Sequence, residues 1–335
     1  MTRAGLTELG GLHHTSSITK DVAENARFYV RTLGLRLVYK GVNFDDPSMY
    51  HLAYGDGIGS YGTIMTFFDI PHAAPNRPGS GSVSAIGLRV PDGDALRYWA
   101  DRFDGEDVHH GGMTERYDGR AMIAFSDPEG HRLQLVAEGG GAAISDGVRW
   151  DRSPVPAEAQ IRGLESYAMT VGGAGSTRRM LVDLMGFRER EEFGDAEGSK
   201  VVVFEVGPGG PGAEVHLMER PELGRGCLGA GGVQHVAFRT TDEEEIGRWA
   251  EAVAQAGLPS SGLVDRFFAK SLYYREPGGI LLELTTTDGG PSWVSRMSDL
   301  EHLGEDLIIP PPLEDRRAEI EANLRPLHVE QLVGG

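Results

Sequence analysis

The sequence predicts an α+β protein made of four βαβββ modules that form two curved mixed sheets. Three observations carry this expectation. Four strand-like segments can be set in register: Gly11-Leu12-His13-His14-Thr15, Ala85-Ile86-Gly87-Leu88, Gly163-Leu164-Glu165-Ser166-Tyr167 and Gly232-Val233-Gln234-His235-Val236. A helical pattern follows each one. The four units also close alike, on Gly62-Thr63-Ile64-Met65-Thr66, Gly130-His131-Arg132-Leu133-Gln134, Gly212-Ala213-Glu214-Val215-His216 and Gly279-Ile280-Leu281-Leu282-Glu283. From opening position (14, 87, 166, 235) to closing position (66, 134, 216, 283) the spacing is 52, 47, 50 and 48 residues, close enough to constant to mark a repeat.

The helices are placed by their caps. The first is expected from Asp21 to Leu33, ended by Gly34, and the second from about Asp94 through Tyr98-Trp99-Ala100. The third is expected from Ser176 to Met185, ended by Gly186, and the fourth from Asp242 to Gly257. The modules group as an N-terminal domain, residues 1–142, and a C-terminal domain, residues 157–288, with a linker near Gly139 to Pro156. Residues 289–335 form an extension. Its Pro310-Pro311-Pro312 run and amphipathic stretch from Glu314 to Leu324 are expected to pack over the modules as a strap and helix.

Bulk composition narrows the function. The 335 residues are 40% hydrophobic and 8% aromatic, as in a globular protein. No apolar run is long enough to span a bilayer, and Met1-Thr2-Arg3-Ala4-Gly5-Leu6 lacks the apolar core of a signal peptide, so a cytoplasmic location and no membrane partner are expected. The formal charge of -18, with only four lysines, argues against nucleic acid, whose phosphates need a basic footprint. The single cysteine, Cys227, excludes an internal disulfide framework.

One carboxylate stands out. Glu283 lies between Leu282 and Leu284 in an apolar strand behind the turn Glu276-Pro277-Gly278-Gly279, and a charge placed there needs a partner. Opening and closing strands lie side by side in such a module, so pairing the first module with the fourth gathers His14, Thr66, His235 and Glu283 around one cavity. Two imidazoles, one carboxylate and a poor fourth ligand match the 2-His-1-carboxylate set that leaves positions open on non-haem Fe(II). The other two modules offer Gly87, Gln134, Ser166 and His216, no credible iron site, so one site per chain is expected.

The chain further resembles the vicinal oxygen chelate superfamily (glyoxalase, bleomycin resistance protein and extradiol dioxygenase), and within it the dioxygenases that cleave para-hydroquinone rings. The resemblance runs through Gly11-Leu12-His13-His14, Tyr50-His51-Leu52, Gly62-Thr63-Ile64-Met65-Thr66, Asp265-Arg266-Phe267-Phe268, Ser271-Leu272-Tyr273-Tyr274-Arg275, Glu276-Pro277-Gly278-Gly279 and the Pro-rich tail. It implies a glyoxalase/dioxygenase-like fold with His14, His235 and Glu283 as ligands of Fe(II), Mn(II) being the alternative metal, and O2 as co-substrate. It also implies that Arg266 and Tyr273 face an aromatic diol. On this reading Arg266 stabilises the substrate anion, while His13, beside the site, and Tyr273 serve proton transfer. Gln234 departs from the pattern, because those relatives carry a second His-His pair there.

The expected activity is therefore ring cleavage of a hydroquinone or catechol-type diol by a non-haem iron dioxygenase of extradiol type. Two alternatives stand beside it: a glyoxalase-like isomerase or lyase, which usually needs four protein ligands and is disfavoured by Thr66, and a non-catalytic protein that binds small aromatics or drugs. His216 is expected to be structural, His109 and His110 to face solvent, and His51 to pack near the cavity. The runs Gly139-Gly140-Gly141 and Gly207-Pro208-Gly209-Gly210 lack the context of a phosphate loop and are expected as linkers and turns. The oligomeric state is left open, a homo-oligomer included.

Overall fold

The computed structural model describes residues 5–138, 147–194, 198–267, 269–287, 290–295 and 297–328. The expected linker glycines Gly139-Gly140-Gly141 and Phe268 lie outside them. All four modules have the expected form. The first is β1 (Leu12–Thr19), α1 (Val22–Arg27), β2 (Arg36–Val42), β3 (Tyr50–Gly55) and β4 (Ile64–Asp69). The second is β5 (Ser82–Val90), α2 (Gly93–Gly105), β6 (His110–Glu115), β7 (Ala121–Ser126) and β8 (Arg132–Ala137). The third is β9 (Gly163–Val171), α3 (Ala174–Arg179), β10 (Arg188–Gly194), β11 (Lys200–Glu205) and β12 (Glu214–Glu219). The fourth is β13 (Val233–Thr240), α4 (Glu243–Gln255), β14 (Ser260–Asp265), β15 (Lys270–Arg275) and β16 (Leu281–Thr286).

Two helix starts differ from expectation. Asp92, not Asp94, caps α2, accepting from the N–H groups of Asp94 and Ala95 at 2.9 and 3.0 Å, and α3 begins at Ala174 rather than Ser176. In α1 and α3 the last turn widens into a π-turn, where Leu33 N–H reaches Phe28 O and Met185 N–H reaches Met180 O. Modules one and three thus resemble each other, as do modules two and four with their 13-residue helices.

The strands make two eight-stranded sheets, ordered β14-β15-β16-β13-β1-β4-β3-β2 and β10-β11-β12-β9-β5-β8-β7-β6. The first sheet joins the first and last modules through the antiparallel pair β1/β13, and the second joins the two inner modules through β5/β9. A common backbone conformation underlies the glycine before each closing strand: Gly62, Gly130, Gly212 and Gly279 have φ of +83°, +84°, +92° and +101°. Side chains are strained there, which is why the repeat can be read from those four positions. A cross-connection relates the halves: Leu12 N–H donates to Gly212 O, and Leu164 N–H donates to Gly62 O, both at 2.8 Å.

The helices cover one face of each sheet. Leu96, Trp99 and Phe103 of α2, and Ile246, Trp249 and Val253 of α4, follow helical spacing and enter one apolar cluster with strand residues such as Leu12, Leu88, Leu164 and Phe238. Residues of the C-terminal segment cover part of the first sheet. Trp293, Val294 and Leu303 pack on Val38, Tyr39, Ala53 and Ile64, and Ile309 and Ile320 pack on Val42. The amphipathic stretch is divided between a 3-10 turn, Pro311–Arg316, and α5 (Arg317–Asn323). Among the described residues no helix is long and apolar enough to cross a membrane.

Beneath the first module, Tyr29 Oη donates to Asp127 Oδ2 and meets His131 Nδ1, each at 3.1 Å. Burial drives the two titratable groups in opposite directions, Asp127 up to about 6 and His131 down to about 4. Between pH 6 and 4 the folded state thus holds a proton on Asp127 that the unfolded state lacks. It refuses one on His131 that the unfolded state takes, and the two effects offset each other. His131→Phe removes only the second. Stability supplied by neutral His131 is present above its unfolded pKa and lost as pH falls toward 4. The destabilisation caused by His131→Phe should therefore shrink by up to about 1.4 kcal/mol per pH unit below pH 6.5, measured by urea unfolding. A pH-independent difference would contradict this assignment.

Candidate metal centre

β1 and β13 run antiparallel with His14 opposite Ala237, and β13 and β16 run parallel with Ala237 opposite Glu283. One cross-strand row therefore carries His14 and Glu283 on the same face, and His235, two residues before Ala237, points the same way. Their ligand atoms converge. Glu283 Oε2 lies 3.1 Å from His14 Nε2 and 2.9 Å from His235 Nε2, and the two Nε2 atoms are 3.4 Å apart. All three residues are buried, with Glu283 only 2% exposed.

Each imidazole is held from behind by the residue before it. Gln234 Oε1 accepts from His235 Nδ1 at 2.7 Å, leaving a lone pair on Nε2. His13 Nδ1 and His14 Nδ1 share a proton at 2.8 Å, and a proton on the His14 side likewise frees its Nε2. With both tautomers so set, Glu283 Oε2 faces two lone pairs, and it has no hydrogen-bond partner in the structure. Three donor atoms facing one another repel unless a cation lies among them. Separations of 2.9–3.4 Å are those of adjacent ligands on an ion bonded at about 2.0–2.2 Å, so the residues fit a divalent metal. Burial opposes a charged Glu283 carboxyl, and only positive charge at His14 and His235, from protonated rings or from a cation in their place, holds it well below the usual carboxylate range. Thr66 does not join them. Its hydroxyl lies 2.6 Å from that of Ser16.

Above these atoms is a cavity of about 200 Å³, with Phe44, Phe68 and Trp293 among its walls. Arg266 and Tyr273 face it from one side. Tyr273 is the cross-strand neighbour of Glu283, its ring stands edge-on to His235 at 5.4 Å, and burial followed by the charge of Glu283 raises its hydroxyl above the ordinary tyrosine value. Arg266 lies over the rings of Tyr273 and Phe44, 5.3 and 5.9 Å from their centres, and its Nε donates to Tyr273 Oη at 3.4 Å. His13 does not line the cavity; it is fully buried behind His14.

A model of the Glyoxalase/Bleomycin resistance protein/Dioxygenase superfamily matches residues 11–135 and 163–284. The chain belongs to this superfamily. Within it, MhqA of Bacillus subtilis (strain 168), named as a ring-cleaving dioxygenase, is 44% identical over 321 residues, 96% of this chain and 99% of that protein. A chlorohydroquinone/hydroquinone 1,2-dioxygenase of Sphingobium indicum is 26% identical over 327 residues, 92% of this chain and 94% of its own length. A crystal structure from Bacillus subtilis subsp. subtilis str. 168, described as a dioxygenase, aligns with a TM-score of 0.86 at 33% identity and covers 96% of this chain and 99% of that one. Glyoxalase I of Zea mays aligns with a TM-score of 0.63 at 13% identity over 88% of this chain and 97% of that one, a likeness of fold alone.

The glyoxalase-type duplication produces a second buried cluster, Glu165, Glu214 and His216, on the inner-module sheet. Here cations are already supplied. Arg116 donates to both Glu165 oxygens at 2.9 and 2.8 Å, Arg120 pairs with Glu165 and Glu214, and Arg190 lies 3.1 Å from Glu214. His216 is held between Tyr117 and Glu214. Arg116 follows β6 as Arg266 follows β14, so the same hairpin position supplies an arginine in modules two and four. One enters the pseudo-site as its cation; the other stands over aromatic rings at the cavity wall.

Sequence reasoning passed over Phe44, Trp293 and the way His51 faces the cavity. For His51 a signal existed, since a polar residue in the wholly buried strand Tyr50–Gly55 poses the same question as Glu283. Gln234 now has a task, which yields a prediction. Gln234→Leu should weaken metal binding about 10–100-fold and Gln234→Glu should retain it, in titrations with a metal buffer. Unchanged affinity in Gln234→Leu would show that the amide does not orient His235.

Proposed function

We propose that the chain is a ring-cleaving dioxygenase that uses O2 to open a hydroquinone or catechol-type aromatic diol, with non-haem Fe(II) held by His14, His235 and Glu283. The observation that carries this is the convergence of three lone-pair atoms at the floor of an aromatic-walled cavity, and the ring-cleaving names of its relatives support it. Bound Fe(II) supplies a Lewis acid with open positions and access to one-electron chemistry between a diol and O2. Both oxygen atoms enter the product and one ring carbon–carbon bond breaks.

The protein groups have separable tasks. Phe44, Phe68 and Trp293 take the planar ring and exclude water. Arg266 places a fixed cation where a hydroxyl must ionise, lowering the cost of the phenolate. Tyr273, protonated and adjacent to Glu283, donates to an oxygen of the bound diol and can return the proton as charge moves. His13 acts through His14, holding its ring, rather than on substrate. The division into residues 1–142, 157–288 and 289–335 belongs to the same reading, supported by the likeness of alternate modules. The engagement of Thr66 by Ser16 weighs against a four-ligand isomerase.

The test is oxygen uptake by protein loaded anaerobically with Fe(II) and given hydroquinone, methylhydroquinone and catechol in turn. One O2 consumed per diol is expected with at least one of them. No uptake with any diol, despite stoichiometric iron, would overturn the proposal.

A further inference from the structure

Among the described residues lining the cavity, buried polar atoms without a hydrogen-bond partner occur at Glu283 and at His51. A cation accounts for the first. His51 has both ring nitrogens in this condition. Its ring is fixed by stacking on Phe68 at 4.5 Å, by an edge contact with Tyr39 at 5.5 Å and by another with Trp293 at 6.2 Å, so it cannot turn away to find a partner. A phenylalanine would make the same stacks without leaving two buried nitrogens unsatisfied.

Position and chemistry say what the ring is suited to meet. In the sheet order β15-β16-β13-β1-β4-β3, Tyr273 lies on one side of the three ligand positions and His51 on the other, two strands beyond His14. Two strand spacings are about 10 Å, so His51 stands away from the atoms that would hold the metal. It is neutral, because burial takes it down to about 3, and it therefore offers one N–H donor and one lone pair. A hydroxyl, itself donor and acceptor, is its complement. In an ortho-diol both oxygens are neighbours and sit together near the ligand atoms, whereas a para-diol puts its second oxygen at the far end of the ring.

We propose that His51 recognises the diol hydroxyl that does not meet the metal ligands, and so selects para-diols. This rests on the ring-cleaving reading above. The test is calorimetric binding of hydroquinone, catechol and phenol to the anaerobic iron-loaded protein and to His51→Phe and His51→Gln, with iron content and melting temperature recorded for each. Wild type should bind hydroquinone at least tenfold more tightly than phenol. His51→Phe should reduce that preference below threefold while phenol and catechol affinities stay within about twofold, and His51→Gln should restore part of it. His51→Leu replaces the phenylalanine variant if that one does not fold.

A preference of tenfold or more in the variant would overturn the assignment, as would absence of the preference in wild type. Equal losses for phenol and hydroquinone would also overturn it, by showing a packing role. If oxygen uptake is normal and only these comparisons fail, the role of His51 alone is wrong. If wild type binds none of the three ligands and consumes no oxygen, the ring-cleaving reading falls and His51 falls with it.

Discussion

Glu283→Ala should retain less than a tenth of the wild-type iron after loading and desalting, and should lose ring-cleaving activity in proportion. On the proposed ligand set the carboxylate is one of three donors, and its Oε2 is the atom closest to both imidazole nitrogens. Metal sites with a full set of protein donors are worth about 10–16 kcal/mol, so one donor contributes on the order of 3 kcal/mol, more than a hundredfold in affinity. The metal-free protein should not be destabilised by the change, because a buried carboxylate among lone pairs is itself unfavourable without its cation. Iron analysis and thermal unfolding in chelator separate these two effects. Full iron content in Glu283→Ala would remove Glu283 from the ligand set.

Glu165→Ala should behave in the opposite way, losing about 3–5 kcal/mol of stability in urea while keeping its iron. Glu165 accepts both guanidinium donors of Arg116, a hydrogen bond from Ser166 at 2.6 Å and a further contact from Arg120. Arg116 is as buried as its partner, so truncating Glu165 leaves a cation with only Asp118 to answer it. The arginines hold the Glu165 carboxyl far below its ordinary value even though burial opposes this. Gly87 makes the arrangement sterically feasible, since a Cβ there would lie 2.4 Å from Glu165 Oε2. A variant with unchanged stability but lower metal content would instead identify the second cluster as a metal site.

The two glutamates show how far a sequence reaches. Both are carboxylates in buried strands, and both had to find positive charge. The repeat made the fold legible because a backbone requirement, the positive φ before each closing strand, leaves a glycine at a fixed offset. It also brought His14, His235 and Glu283 together, because module pairing follows from strand order. What answers Glu165 was not legible. Arg116 and Arg266 occupy like positions after like strands, yet one turns into the pseudo-site and the other lies over Phe44 and Tyr273. That choice depends on the side chains they meet, not on spacing. Trp293 and Phe44 were missed for a related reason, lying in irregular segments whose approach to the cavity no periodicity encodes. His51 was placed near the cavity, but its two unsatisfied nitrogens exist only once Tyr39, Phe68 and Trp293 have fixed its ring.

The nested order of the modules has a kinetic side. The inner sheet closes across 25 residues between Ala137 and Gly163, whereas the outer sheet must bring Val233 to β1 across the 163 residues that follow Asp69. Loop-closure entropy makes the outer event harder by about 2 kcal/mol if the intervening chain is unstructured, and much easier once the inner sheet has folded and drawn its ends together. The inner modules then serve as a template on which the outer pair docks. A metal bridging His14 to His235 and Glu283 would act as a clasp on that last step, much as a cross-link between distant residues would. Chelation should accordingly speed unfolding of the outer sheet first, visible as early loss of amide protection in β1 and β13 while β5 and β9 remain protected.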